Sequence, residues 1–193
     1  MSSQVHGTQN FDKAKRAEVK FSDEAMNVVQ TIISHYPEGK QKSALLPVLH
    51  VAQAEFGGWL SPEVMDYVAS ILKIKPIEVF EVASFYTMYN LKPMGKCVLE
   101  VCQTSSCWLN GAEDIVKYIE KKLNIKVGET TADGMFSLKV AECLGSCGTA
   151  PMLQCGASYH ENLTYEKVDK ILADYKSEGK LKSYTDLDYK NTL

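Results

Sequence analysis

Two close cysteine pairs, each following a hydrophobic run, decide the fold of this chain. The first stretch is VLEVCQTSSC at residues 98–107, and the second is LKVAECLGSC at residues 138–147. Both runs are typical of β-strands, and two strand ends can bring two loops to one place. Thiolates are soft donors that suit zinc or an iron-sulfur cluster. We therefore interpret four cysteines as the ligands of one metal centre: Cys102, Cys107, Cys143 and Cys147.

The spacing within each pair bears on the choice of metal. A structural zinc site closes on one ion, usually with short spacers, although spacers of up to four residues occur. A 2Fe-2S cluster contains two irons, so that each of the two wider loops can hold one of them. Both loops are rich in small or polar residues, which leave backbone N–H groups free to point at sulfurs. These features favour an iron-sulfur cluster, with zinc and unliganded or disulfide-bonded cysteines left open.

Composition limits the class of protein. The chain has 193 residues, of which 45% are hydrophobic, so it can build a core in one domain or two small ones. The net charge of -3 and the absence of a Lys/Arg block argue against a nucleic-acid partner. Residues 1–20 are polar and match neither a secretory signal nor a transit peptide, and no apolar run is long enough to span a membrane. We therefore expect a cytoplasmic protein, in which disulfides are rare.

The first half of the chain has helical periodicity. Residues 1–20 are predicted to form a flexible tail, and residues 21–92 carry four short amphipathic segments that predict a small helical bundle. Their predicted starts are Ser22, Ser43, Ser61 and Pro76. Phe85, Tyr86 and Tyr89 form an aromatic stripe at the end of the fourth segment. Helical spacing predicts that they pack in the core, and a contact surface for a partner is the alternative.

After residue 92 the pattern alternates between strands and helices. Such alternation over residues 93–175 predicts a small α/β domain, so the fold class is α+β, a helical bundle followed by an α/β domain. The predicted strands are 97–101, 136–141, 151–154 and one near Tyr159, and the predicted helices are 112–123 and 164–175. Residues 176–193 are predicted to be an extended tail.

The remaining candidate residues have ordinary explanations. Cys97 and Cys155 lie in or beside predicted strands and are expected to be buried, inert thiols. The histidines are not spaced as ligands, and only His160 is a candidate if the centre has two histidines. Trp108 is expected either to shield the metal or to lie in an interface. No motif for an organic substrate is present, which makes electron transfer the expected chemistry.

The cysteine pattern, continued by Ala150 and Pro151, resembles the thioredoxin-like 2Fe-2S ferredoxin family. Three further segments are similar to that family: EVASFYTMY at 81–89, GETTADGMF at 128–136 and ENLT at 161–164. The resemblance extends from about residue 21 to residue 175. It implies a helical domain followed by a thioredoxin-like domain, with one 2Fe-2S cluster on the four cysteines named above.

The resemblance also implies a role. The chain would be an electron-transfer subunit of the NADH dehydrogenase module of respiratory complex I, and an enzyme only as part of that NADH:quinone oxidoreductase. Its partners would be the flavoprotein subunit that binds NADH and FMN and other peripheral-arm subunits, on the cytoplasmic face of the membrane. Two alternatives stay open: the equivalent subunit of an NAD-linked hydrogenase or formate dehydrogenase, and a zinc-stabilised interaction module.

Overall fold

The computed structural model describes residues 19–178, and the two predicted tails lie largely outside this range. Four α-helices occupy the first half of the described chain: α1 (Asp23–Ser34), α2 (Leu45–Glu55), α3 (Pro62–Leu72) and α4 (Pro76–Phe85). Ser22 and Ser61 cap α1 and α3, because each hydroxyl accepts a hydrogen bond from the backbone N–H three residues later. A 3-10 turn at Gln41–Ala44 precedes α2. The predicted helices are therefore confirmed, with small shifts at their ends.

The aromatic residues at the end of α4 correct one expectation. Tyr89 is buried and donates a hydrogen bond from its hydroxyl to the Leu46 carbonyl at 2.9 Å, as core packing predicts. Phe85 and Tyr86, however, are 78% and 39% exposed, so their predicted place in the core is wrong. The physical reason is that α4 ends at Phe85 and Tyr86 has an extended backbone, so helical spacing does not continue to Tyr86. Phe85 is two positions from the buried Ala83 and therefore lies on a different side of the helix.

The second half of the described chain contains a four-stranded sheet with order β2-β1-β3-β4. Its elements are β1 (Cys97–Cys102), α5 (Ser105–Leu109), α6 (Ala112–Leu123), β2 (Phe136–Ala141), β3 (Leu153–Cys155), β4 (Ser158–His160) and α7 (Tyr165–Glu178). Strand β1 is parallel to β2 and antiparallel to β3, and β3 is antiparallel to β4. The short helix α5 was not predicted, and α7 extends three residues beyond its predicted end into the expected tail.

The two faces of the sheet have different surroundings. One face packs against α6 and α7 in a hydrophobic core, whose largest fully buried side chains include Leu99, Ile119, Leu138 and Leu153. The other face, with Val98, Glu100 and Gln154, lines a cleft of about 600 Å³ opposite His50 and Gln53 of α2. The helical bundle has a separate core of its own. The division at residues 21–92 and 93–175 stays a prediction, which the two separate cores support.

Lys139 of β2 connects the two halves across this cleft. Its ammonium pairs with Glu100 at 2.9 Å and donates hydrogen bonds to the Thr87 carbonyl at 2.8 Å and to Asn90 Oδ1 at 3.0 Å. Both charged side chains are mostly buried, so solvent screens their attraction less than at an open surface. These contacts fix the end of the helical region against β2.

The connection itself runs close to the sheet at Gly95. A Cβ atom on this residue would lie 2.8 Å from the backbone carbon of Phe136, a distance that side chains do not tolerate. The Gly95 N–H donates to the Ser137 hydroxyl at 2.7 Å. Glycine is therefore needed for the chain to enter β1 directly beside β2.

The two cysteines outside the predicted pairs meet between neighbouring strands. Cys97 of β1 and Cys155 of β3 are fully buried, as predicted, and their Cα atoms are 6.3 Å apart. The structure joins their sulfurs in a disulfide, so the expectation of two inert thiols is wrong. The reason is non-local: β3 pairs with β1 across a sequence separation of 58 residues, and that pairing was not visible in the sequence. The loop that this bond closes contains all four predicted ligands.

Replacing both Cys97 and Cys155 by alanine should lower the free energy of unfolding by about 2–4 kcal/mol, because a long closed loop restricts the unfolded chain. Urea denaturation followed by circular dichroism measures the change. Wild-type protein denatured in the presence of a reductant should have a free energy of unfolding that is lower by a similar amount. Alkylation of both thiols in denaturant without reductant would show that the bond is absent.

Candidate metal centre

The two predicted ligand pairs begin at the same edge of the sheet. Cys102 is the last residue of β1, and Cys143 follows the end of β2 by two residues. The strands are parallel neighbours, with Cys102 opposite Ala141, so both carboxyl ends lie side by side. This pairing confirms the expectation that two strand ends bring the two loops together.

The first pair is buried. Cys102 and Cys107 are almost fully inaccessible, and Cys107 is held by the short helix α5. The first loop therefore presents two sulfurs from the edge of the hydrophobic core.

The second pair is exposed. The Cys143 and Cys147 sulfurs are 3.8 Å apart, and Cys147 begins a 3-10 turn. Two thiolates on one tetrahedral metal, at a metal–sulfur distance of about 2.3 Å, lie about 3.8 Å apart. The spacing of this pair therefore fits the binding of one tetrahedral metal ion, as one iron of a 2Fe-2S cluster requires.

Contacts between the two loops hold the pairs close to each other. The Ser106 hydroxyl of the first loop donates to the Cys147 carbonyl at 2.8 Å. Within the first loop, the Cys102 sulfur lies 3.2 Å from the Thr104 hydroxyl. Burial raises the pKa of Cys107, and charge on Cys147 of the second loop raises it further. The Ser106 bond therefore joins the two loops directly.

Hydrogen bonds favour the charged form of one thiol in each pair. Burial by itself raises the pKa of Cys102, but donors from Thr104 and from the Leu144 backbone N–H lower it below its usual value. The pKa of Cys143 is lowered first by the N–H of Gly145, which has a positive φ of 82°. Burial raises the pKa of Cys107, and the neighbouring Cys143 raises that of Cys147. Each pair therefore contains one cysteine whose lowered pKa favours the thiolate, the form that binds a metal.

The described residues do not form a ready-made site for a single ion. Within residues 19–178, no three His, Cys, Asp or Glu side chains are grouped closely enough to hold one metal ion. The assignment of four ligands to one centre therefore stays a proposal, based on the converging strands and the paired sulfurs.

A carboxylate outside both loops stabilises the second one. Glu161 accepts hydrogen bonds from the Ser146 hydroxyl and, at 2.7 Å, from the Thr149 hydroxyl, and these bonds lower its pKa. The backbone N–H of Asn162 donates to the Thr149 carbonyl at 2.7 Å. Sequence reasoning assigned no role to Glu161, because the residues it contacts lie 12 and 15 positions away and carry no metal-binding signal.

The structure also places His160 and Trp108, the two other candidate residues for the metal centre. His160 Nε2 lies 2.8 Å from the Tyr175 hydroxyl, so its defined contact is with α7 and not with the cysteines. Trp108 is 55% exposed, which favours the interface alternative over a buried shield.

A helix-covered sheet with two thiol pairs at the ends of adjacent strands defines a candidate thiolate metal site. The chain belongs to the thioredoxin-like [2Fe-2S] ferredoxin family, whose family model matches residues 29–176. The predicted fold class is thereby confirmed, and the predicted cofactor, one 2Fe-2S cluster, is the group in the family's description. The residues present fit this cluster, since the two thiol pairs lie at the carboxyl ends of adjacent parallel strands.

Comparison with individual proteins is consistent with this family. The E subunit of NADH-quinone oxidoreductase from Rickettsia felis is 44% identical over 83% of this chain and 96% of its own length. The mitochondrial NADH dehydrogenase [ubiquinone] flavoprotein 2 of Dictyostelium discoideum is 40% identical over 86% of this chain and 67% of its own length. An H2-reduced NAD+-reducing [NiFe]-hydrogenase structure aligns with a TM-score of 0.61 and 19% identity, covering 69% of this chain and 22% of that chain. This last likeness concerns the fold alone.

Changing Glu161 to Gln should weaken the second loop and speed cluster loss roughly tenfold, since groups that orient ligands affect metal affinity on this scale. The pKa of Glu161 lies below its ordinary value of 4.5, so its stabilising effect is present at neutral pH. This stabilising effect is lost only as the pH falls through the lowered pKa that Glu161 has in the folded protein. The variant should therefore differ from wild type throughout about pH 5–8.

Visible absorbance in the presence of an iron chelator measures the rate of loss. Glu113→Gln is the matched control, because Glu113 is exposed on α6 and forms only an ion pair with Lys117 at 3.7 Å. Equal rates for Glu161→Gln and wild type would rule out a stabilising role for this carboxylate.

Proposed function

We propose that this chain is the electron-transfer subunit of an NADH dehydrogenase module of the respiratory complex I type. Cys102, Cys107, Cys143 and Cys147 would hold one 2Fe-2S cluster, which when bound accepts and donates single electrons. The observation that carries the proposal is the convergence of both thiol pairs at the ends of β1 and β2. The 44% identity to the E subunit of an NADH-quinone oxidoreductase supports the choice of host complex.

The two pairs have different tasks in this function. The buried pair, Cys102 and Cys107, anchors one side of the centre in the core beneath α6. The exposed pair, Cys143 and Cys147, lies at the surface, where a redox partner can approach. Electrons are therefore expected to enter and leave on the side of the second loop, because transfer requires a short distance between the two centres.

Exposed apolar side chains lie beside this second loop. We define this surface by three side chains that are 55%, 75% and 50% exposed, those of Trp108, Leu109 and Tyr159. The Tyr159 hydroxyl donates to the Leu144 carbonyl at 2.7 Å, and α5, which carries the other two residues, contacts Cys147 through Ser106. Neighbouring exposed apolar residues are typical of protein interfaces. We assign this surface to the flavoprotein subunit that carries NADH and FMN.

The location of the assembly follows from the same proposal. Within the described range, no helix has the length and apolar character needed to cross a membrane. The chain would be attached to the cytoplasmic face through the other subunits of the peripheral arm. The equivalent role in an NAD-linked hydrogenase is the second candidate.

Anaerobically purified protein should contain about two irons and two sulfides per chain and should give a rhombic EPR signal after dithionite reduction. Cys143→Ser should lose most of this signal, because the exposed pair then provides one thiolate instead of two. Co-purified membrane quinone-reducing subunits would favour complex I, whereas hydrogenase subunits would favour the second candidate. Stoichiometric zinc without sulfide would contradict both.

Trp108→Ala should weaken association with the flavoprotein subunit at least about tenfold, since a buried interface tryptophan contributes strongly to binding. Iron and sulfide contents should not change. Phe80→Ala is the matched control, because Phe80 is also a half-exposed aromatic residue but lies on α4 of the helical bundle. Binding of Trp108→Ala with wild-type affinity, measured by surface plasmon resonance, would exclude this surface.

A further inference from the structure

Thr104 occupies a helix-capping position without capping the helix. It is the N-cap residue of α5, where a threonine hydroxyl usually accepts a hydrogen bond from the first turn. Among the described contacts of α5, the Thr104 side chain makes no such bond. Its carbonyl accepts from the Trp108 N–H at 2.9 Å, so the backbone begins the helix while the hydroxyl is directed elsewhere.

The Thr104 hydroxyl instead faces the Cys102 sulfur. Its oxygen lies 3.2 Å from that sulfur. A hydroxyl has a single proton to donate, and a thiolate is an acceptor, so the proton is directed to this sulfur when Cys102 is charged.

Neighbouring hydroxyls in the first loop do not share this geometry. Ser106 donates to the Cys147 carbonyl and is therefore committed to a backbone oxygen. Ser105 is exposed on the first turn of α5. Backbone N–H groups of Thr104 and Leu144 also lower the pKa of Cys102, but they are present whatever the side chains are.

We propose that Thr104 is a positioning residue that raises the reduction potential of the cluster by donating its hydroxyl proton to the sulfur of Cys102. The proposal rests on the proposed function, because it requires the 2Fe-2S cluster on these cysteines. Reduction adds one electron and therefore negative charge to the cluster. A donor at the sulfurs stabilises that charge more in the reduced form than in the oxidised form, which makes reduction easier.

The test compares Thr104→Val with Thr104→Ser in the full chain. Valine keeps the shape of threonine and removes the donor, whereas serine keeps the donor. EPR-monitored redox titration should give Thr104→Val a more negative midpoint potential. At the wild-type midpoint, its ratio of reduced to oxidised cluster should fall by about three- to tenfold, the upper value corresponding to about 59 mV for one electron. Thr104→Ser should titrate like wild type.

Controls separate a donor from a merely structural residue. Ser105→Ala, next in the chain and exposed, should leave the midpoint unchanged. Thr104→Ala serves as a second variant without a donor if Thr104→Val does not keep its cluster. An unchanged midpoint in a cluster-loaded variant without the hydroxyl, or an equal shift in Thr104→Ser, would overturn the proposal while leaving the proposed function intact. Wild-type protein without a 2Fe-2S signal would instead overturn the proposed function.

Discussion

The parallel pairing of β1 with β2 is the constraint on which the metal centre depends. The register runs from Cys97 opposite Phe136 to Cys102 opposite Ala141, and it places both ligand loops at one edge of the sheet. A shift of one residue would turn every side chain of a strand to the opposite face and separate the thiols from their donors. The bond from Gly95 to Ser137 fixes this register where the chain enters β1.

Around this pairing, polar contacts position loops that have little hydrophobic core of their own. Glu161 holds the second loop from outside, Ser106 joins it to the first, and Lys139 joins the sheet to the helical region. Each contact joins segments that are distant in sequence. A site formed in this way keeps one thiol pair in the core and the other at the surface, an arrangement suited to exchanging electrons with another protein.

Much of the fold was predictable because its signals are local. Helix caps at Ser22 and Ser61 and the apolar runs of β1 and β2 depend on residues within a few positions of each other. The cysteine pairs are equally local, so the sequence alone indicated the candidate ligands. The exposure of Tyr86 was not predictable, since it depends on where α4 ends.

The sequence by itself determined the kinds of elements, their order and the thiol chemistry, since propensity, periodicity and ligand type belong to individual residues. Only the tertiary structure decided which groups meet: Cys97 with Cys155, and Glu161 with the second loop. The physical reason is that these contacts follow from the register of non-local strands and the packing of loops. Neither the strand register nor the loop packing is encoded in any short stretch of the chain.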